Sequence, residues 1–116
     1  MSSEESPLYI DAFKDYQNNG GFKFGPLSSN KFRQDPQYVM FQMSRYKHAA
    51  RILGNKKKVL DIGSGDGIGI PILCQYFEKV TASDIDENML SYAKNNLDES
   101  FACNFILNNF YENSLK

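Results

Sequence analysis

The residues best suited to chemistry form a glycine-rich run with two acids near the middle of the chain. An apolar segment, Val59–Ile62, predicts a short strand that includes Asp61, and glycine then occupies every second position from 63 to 69, with Asp66 among them. Glycine tolerates positive φ and lets a ligand approach the backbone closely. The predicted helix after the turn adds free N–H groups and the positive end of its dipole. The pattern therefore predicts a site for a nucleotide-like ligand at the carboxyl end of this strand.

The spacing of the glycines bears on which ligand this is. The dinucleotide fingerprint needs G-x-G-x-x-G, but the sixth position counted from each of the first three glycines is isoleucine. A pyrophosphate crossing the turn would also meet the carboxylates of Asp61 and Asp66, which repel it. S-adenosylmethionine carries an ammonium group, a sulfonium and no phosphate. The turn therefore favours S-adenosylmethionine over a dinucleotide.

A third acid is placed to bind a ribose. Asp84 ends a predicted second strand, Lys79–Ser83, and follows Gly65 by 19 residues. In doubly wound folds a carboxylate at this position faces the ribose hydroxyls. Asp86, two residues later, is interpreted as the cap of the next helix rather than as a ligand-binding group.

The remaining elements predict the fold class. Helices and strands alternate in the second half, which is typical of a parallel sheet, here with spatial order 3-2-1 and flanking helices. The prediction is a partial, Rossmann-like α/β fold behind an N-terminal helical leader. The predicted elements are a helix from Ser6-Pro7 to Gly20, an ordered loop at Phe22–Asn30, a helix from Asp35-Pro36 to Gly54, a strand at Val59–Ile62, a helix from about Gly67 to Phe77, a strand at Lys79–Ser83, a helix from Glu87 to about Leu97 and a strand at Asn104–Leu107.

Two of these segments resemble motifs of one enzyme family. Val59–Gly69 resembles motif I, and Val80–Leu90 the post-I motif, of the class I Rossmann-like methyltransferases that use S-adenosylmethionine. The resemblance covers about Lys56–Leu107, and Phe22–Leu53 is also similar to the leader of some small bacterial members. It implies that S-adenosylmethionine is the cofactor and that a methyl group passes to an acceptor.

The resemblance also implies roles for individual residues. Gly63 and Gly65 would line the methionyl part of the cofactor, and Asp61 would orient its ammonium group through water. Asp84 would hold the ribose diol, and Ile85 would pack against adenine. The same site includes Ser64, Gly67 and Asn108. Ser64 stands where the family often has cysteine or threonine. Asn108 follows the third strand, where the family usually has an acid.

We expect the chain to divide into a leader at 1–34 and a partial cofactor-binding domain at 35–116. Tyr9, Phe22 and Phe24 of the leader are candidates for a lid over the cofactor. The family sheet has seven strands and only three are readable here, so the chain is expected to be a fragment. The acceptor site normally follows strand four, so the acceptor, a small molecule or another compound, and the catalytic residues are not identified.

Composition narrows the class of protein. The 116 residues carry a net charge of −1, which gives no general attraction to nucleic acid or anionic membranes. The polar N-terminus is unlike a signal peptide, and no apolar run is long enough to span a bilayer, so a cytoplasmic protein is expected. Cys74 and Cys103 lack metal-ligand spacing and are expected to be reduced thiols, and no metal site is expected.

Two alternatives stay open: a non-catalytic module that binds a cofactor or partner, and half of an NAD(P)- or FAD-dependent oxidoreductase. The sequence leaves the oligomeric state open.

Overall fold

The fold is built from five helices and three strands within residues 6–97 and 100–109, which are the residues that the computed structural model describes. The elements in chain order are α1 (Pro7–Asn19), α2 (Pro26–Gln34), α3 (Pro36–Ile52), β1 (Lys58–Ile62), α4 (Ile70–Tyr76), β2 (Lys79–Asp84), α5 (Glu87–Asn96) and β3 (Asn104–Leu107).

The three strands form one parallel sheet in the order β1-β2-β3, which confirms the predicted α/β class and strand order. Val59 pairs with Val80, and Ala82 pairs with Asp61 on one side and Phe105 on the other. The carboxyl ends of β1 and β2 therefore lie side by side, and the segments that follow them share one edge of the sheet.

Helices α4 and α5 cover one face of this sheet and make the core with it. Ile70 and Leu73 of α4, Ala93 of α5, and Val80 and Ala82 of β2 are all buried. Side chains alternate between the two faces of a strand. Leu60, Ile62 and Ile106 accordingly point to the opposite face, where they are 39%, 55% and 45% exposed. Among the described strands, β1 has a neighbour on one side only, as the sequence predicted.

The long helix α3 begins as its sequence predicts. Asp35 accepts a hydrogen bond from the backbone N–H of Gln37 at 3.2 Å, and Pro36 occupies the first turn, where its missing N–H has no helical acceptor to lose. The main contacts of this helix are with α2 and α4. Val39 and Ala50 of its apolar stripe are buried, whereas Leu53 is exposed at the helix end.

The predicted loop at Phe22–Asn30 is wrong in its second half, because α2 begins at Pro26. The N-terminus of α2 is capped from outside its own segment. The Asp66 carboxylate accepts a hydrogen bond from the backbone N–H of Ser28 at 2.7 Å. A carboxylate at a helix N-terminus satisfies a free donor and interacts favourably with the helix dipole.

The helix after β1 is shorter at its start than predicted, because the glycine turn continues to Gly69. Gly67 has a φ of +87°, and its N–H bonds the carbonyl of Ser64 at 3.2 Å rather than starting a helix. Pro71 lies in the first turn of α4, where its missing N–H has no helical acceptor to lose. Asp86 caps α5 with hydrogen bonds from the N–H groups of Asn88 and Met89, at 2.8 and 3.2 Å, which confirms its predicted structural role.

Within the ranges 6–97 and 100–109, no helix has both the length and the apolar character needed to cross a membrane.

Candidate functional site

The side chain of Asp84 joins the ends of β1 and β2. Its Oδ2 accepts a hydrogen bond from the backbone N–H of Gly65 at 2.8 Å, and its Oδ1 accepts one from the N–H of Asp86 at 3.0 Å. The acid and the glycine turn, 19 residues apart in sequence, therefore share one edge of the sheet. An ionised carboxylate has about four acceptor positions. These two bonds fix its orientation and leave acceptor capacity for a ligand.

The turn itself is held against β2 by its backbone. The N–H groups of Gly63 and Ser64 both donate to the carbonyl of Ser83, at 2.8 and 2.9 Å. Gly63 has a φ of +73°, and a Cβ built there would meet no heavy atom within 4 Å. The space beside Gly63 is open, and the absence of a side chain leaves its backbone accessible to a ligand.

Asp61 lies in β1 immediately before this turn and is paired with a tyrosine. The Tyr46 hydroxyl, on α3, donates to Asp61 Oδ2 at 2.8 Å. Burial raises the pKa of Asp61, the hydrogen bond from Tyr46 opposes that rise, and the nearby charge of Asp84 adds to it. Asp61 and Asp84 are thus close enough to repel each other, so a cationic group placed between them would be stabilised by both.

Asp66 does not play the part that the sequence suggested. The carboxylate was interpreted as part of the surface that a ligand meets, but Asp66 is buried and bound to the leader. Its Oδ1 accepts from the Ser28 hydroxyl and its Oδ2 from the Ser28 N–H, both at 2.7 Å. Gly25 packs so closely that a Cβ there would overlap the Asp66 side chain. Asp66 therefore attaches the leader to the turn. The carboxylates that remain to face a ligand at this edge are those of Asp61 and Asp84.

The other predicted site residues surround the same edge in different ways. Ile85, beside Asp84, is 62% exposed and offers an apolar surface. The backbone N–H of Asn108 donates to the carbonyl of Asp84 at 3.0 Å, which places the end of β3 next to the end of β2. Ser64 is buried, and its hydroxyl oxygen has no hydrogen-bond partner within the described part of the chain. Gly67 faces inward instead, since a Cβ there would lie 2.8 Å from that of Ala93.

An apolar cavity of about 290 Å³ lies away from this edge. It lies between the leader and the helices α4 and α5, with Phe22, Phe24, Pro71, Leu97 and Phe101 among its walls. Of the predicted cofactor-binding residues, only Gly67 lines it. The open edge at Asp61, Gly63 and Asp84 is therefore a separate site from the cavity.

The leader aromatics proposed as a lid are engaged elsewhere. Phe22 packs on Phe101 with ring centroids 5.6 Å apart, and Phe24 packs on Phe32 at 5.4 Å. Tyr9 is 60% exposed on α1. Besides the residues that contact Asp66, Leu27 of the leader also comes near the turn, with its Cδ2 3.5 Å from the Cβ position of Gly65. A lid formed by the leader, and the division at residue 34, stay predictions.

The two cysteines and the single histidine are not among the predicted site residues. Burial raises the pKa of both thiols, that of Cys103 to about 11, so neither is an activated thiolate at neutral pH. His48 is exposed on α3.

Sequence reasoning missed the contribution of Tyr46, a residue within the helix predicted from Asp35-Pro36 to Gly54. The ring does pack, since a Cβ at Gly69 would overlap it. The hydroxyl, however, reaches Asp61. The one signal in the sequence was the tyrosine hydroxyl, a polar group among the apolar residues of α3. That signal does not identify the residue to which the hydroxyl donates.

Comparison with known proteins decides the family. A sequence model described as "Methyltransferase domain" matches residues 59–116, which is half of the chain. The chain belongs to this family. Its match begins in β1 and includes both the glycine turn and Asp84, which confirms the resemblance drawn from those two motifs. A comparison with curated protein sequences gives no significant match.

Solved structures share the fold of this methyltransferase domain. Magnesium protoporphyrin IX methyltransferase (ChlM) from Synechocystis PCC 6803, solved with bound SAM, superposes with a TM-score of 0.54 at 19% identity, over 98% of this chain and 60% of ChlM. The plantazolicin methyltransferase BpumL, in complex with SAH, superposes with a TM-score of 0.52 at 20% identity, over 75% of this chain and 35% of BpumL. An S-adenosylmethionine-dependent methyltransferase from Clostridium acetobutylicum ATCC 824 superposes with a TM-score of 0.52 at 15% identity, over 93% of this chain and 39% of that protein. The chain thus spans between about one third and three fifths of the length of these proteins.

Proposed function

We propose that this methyltransferase domain binds S-adenosylmethionine at the edge formed by Asp61, the glycine turn and Asp84, and that it serves methyl transfer to an acceptor. The observation that carries the proposal is the pair of carboxylates flanking an open glycine turn. Asp84 is fixed by the Gly65 N–H, and its charge helps to raise the pKa of Asp61. Two acids that repel each other suit a ligand with an ammonium and a sulfonium, and they disfavour a diphosphate.

Each predicted residue has a part in this proposal. Asp84, with acceptor capacity beyond its two backbone bonds, would receive the ribose hydroxyls, and the exposed side chain of Ile85 would cover adenine. The backbone of Gly63, which faces open space, and that of Gly65 would lie along the methionyl chain, whose ammonium Asp61 would orient. Ser64, Gly67 and Asn108 would complete the shape of the turn and of the adjoining strand ends.

The reaction needs little acid–base chemistry from these residues. When bound, S-adenosylmethionine supplies an activated methyl group on a positively charged sulfur, which a nucleophile displaces in line. The residues of this chain would hold that group in one orientation at the sheet edge, and such positioning is a large part of catalysis in a two-substrate reaction. A base is required only where the acceptor must lose a proton. The acceptor is a small molecule or another compound that these residues do not identify.

Calorimetric titration of the protein with S-adenosylhomocysteine, S-adenosylmethionine and NADH tests the proposal. We expect saturable 1:1 binding of both sulfur compounds and none of NADH. Micromolar binding of NADH with no response to either sulfur compound would contradict the proposal and favour the oxidoreductase alternative.

Transfer of a labelled methyl group from S-adenosylmethionine to small-molecule extracts then separates an enzyme from a module that only binds the cofactor. A cytoplasmic location stays a prediction, which fractionation of cells that express the protein would check.

A further inference from the structure

Tyr46 and Asp61 form a contact that the proposed function leaves without a purpose. We propose that Tyr46 is a positioning residue, which holds the Asp61 carboxylate in the orientation that receives the ammonium group of the ligand. This inference rests on the proposed function, because it assigns a purpose to a contact within that site. It adds a residue of α3, outside both recognised motifs, to the machinery at the sheet edge.

The tyrosine ring is fixed on both sides. Helix α3 is anchored by Val39 and Ala50, which are 2% and 0% exposed. On the other side, the ring rests against the backbone of Gly69, at the start of α4, where any Cβ would overlap it. The hydroxyl is thus brought to Asp61 by packing that involves three separate elements, α3, β1 and the end of the glycine turn.

The choice of a phenol as the donor is chemically informative. Asp61 is partly buried beside the charge of Asp84, so its carboxylate needs a donor to remain stable in the charged form. A lysine or arginine would supply one but would also neutralise the charge that a cationic ligand needs. A phenol donates one hydrogen bond and adds no charge. Burial and the neighbouring Asp61 raise the pKa of Tyr46, so the hydroxyl keeps its proton and remains a donor at neutral pH.

The geometry also divides the two carboxylate oxygens between tasks. The hydrogen bond from Tyr46 engages Oδ2 at 2.8 Å. The inference assigns Oδ1 to the ammonium group or to the water molecule that connects it to Asp61. Loss of the phenol would free the carboxylate to rotate, and it would weaken the ligand only through its amino-acid end.

Tyr46→Phe tests this, because it retains the ring on Gly69 and removes only the hydroxyl. Two ligands are titrated: S-adenosylhomocysteine, which has the ammonium group, and 5′-methylthioadenosine, which has the same adenosine and sulfur but lacks the amino-acid end. We expect affinity for S-adenosylhomocysteine to fall about tenfold, as for one lost bond to a charged group. Affinity for methylthioadenosine should stay within about twofold. Tyr38→Phe, on the exposed side of the same helix, is the matched control and should change neither.

Asp61→Glu is the second variant, because it keeps the charge but moves it away from the phenol. It should show the same selective loss, even if Tyr46→Phe fails to fold. Unchanged binding of S-adenosylhomocysteine by Tyr46→Phe, or equal weakening of both ligands by that variant, would overturn the inference alone. Unchanged binding by Asp61→Glu would remove Asp61 from the proposed site and overturn the inference with it. A wild-type protein that binds neither ligand would overturn the proposed function and this inference with it.

Discussion

The backbone N–H of Gly65 donates a 2.8 Å hydrogen bond to the carboxylate of Asp84, and so connects the turn after β1 to the end of β2. In a parallel sheet these two strand ends are neighbours, so a bond across them orients the acid toward any ligand seated on the turn. The bond also makes Asp84 part of the turn's own structure. Changes at Asp84 are therefore expected to affect both the ligand and the local fold.

Replacement of Asp84 by alanine should weaken S-adenosylhomocysteine binding by about tenfold or more, because a hydrogen bond to a charged group is worth roughly 1.5–3 kcal/mol. Asp84→Asn, which keeps one acceptor oxygen, should lose less. Asp11→Asn, on the exposed helix α1, is a control for the change of charge and should leave affinity unchanged. Calorimetry measures all three. An Asp84→Ala protein with wild-type affinity would remove this residue from the site.

The attachment of the leader to the glycine turn should be measurable as stability. Ser28→Ala removes a 2.7 Å bond to the buried Asp66 carboxylate and should lower the free energy of unfolding by about 1–3 kcal/mol. Ser29→Ala, which removes an exposed bond to the carbonyl of Phe24, should cost no more than about 0.5 kcal/mol. Urea denaturation compares the two variants. Equal costs would show that the Ser28–Asp66 contact does not secure α2.

Two glycines of the same turn should respond differently to alanine. Both have positive φ, which costs a non-glycine residue about 1–2 kcal/mol. Gly67→Ala also forces a Cβ against Ala93, and overpacking adds about 1–3 kcal/mol. In Gly63→Ala the new methyl group would extend into open space. It should therefore occupy part of the volume that the ligand needs and lower the affinity for S-adenosylhomocysteine.

Gly20→Ala is the matched control for Gly63→Ala, since it has a similar φ of +76° and open surroundings but lies between α1 and the turn to α2. It should reduce stability as Gly63→Ala does and leave ligand affinity unchanged. Denaturation and calorimetry on the three variants separate the two effects. Identical behaviour of Gly63→Ala and Gly67→Ala in both measurements would contradict the assignment of Gly63 to the ligand.

How far the sequence predicted this structure depends on how local each signal is. Asp86 and Asp35 each cap the helix that directly follows them, and both were predicted from a few adjacent residues. The strands and their order follow from apolar runs and from the rules for parallel crossovers. The approach of Asp84 to Gly65 follows from that topology, because strand ends in a parallel sheet meet at one edge.

The missed features all depend on residues far apart in sequence. In the first turn of α2, the Ser28 N–H is capped by Asp66, 38 residues later, and nothing local to the Phe22–Asn30 segment announces that partner. The same contact explains why Asp66 was misread as a ligand-facing acid. Tyr46 reaches Asp61 only because α3 packs beside α4, and an amphipathic pattern does not specify which element a helix will pack against.

The electrostatics of Asp61 predict a pH dependence of stability. Burial and Asp84 raise its pKa in the folded state above the ordinary value of 3.8, so the folded protein binds more protons than the unfolded chain in that window. The contribution of Asp61 to stability is therefore fully present below the unfolded pKa and is lost as pH rises through the folded pKa. Asp61→Asn removes this dependence. The wild-type protein should lose stability relative to Asp61→Asn as the pH rises from about 4, measured by urea denaturation at each pH.

A constant difference between wild type and Asp61→Asn across that range would mean that the carboxylate is not destabilised in the folded protein. The expected result has a functional meaning, because a charge kept at some cost to the fold is a common feature of binding sites. The cost should disappear when a cationic ligand is bound, so saturating S-adenosylhomocysteine should reduce the pH dependence.

The most direct measurement is the ¹H–¹⁵N correlation spectrum of the labelled protein during titration with S-adenosylhomocysteine. Binding at the sheet edge predicts that the largest, saturable shifts belong to the backbone amides of Gly63, Gly65 and Ile85. Shifts confined to the walls of the apolar cavity, such as Phe22 and Phe101, or a spectrum that does not change, would contradict it.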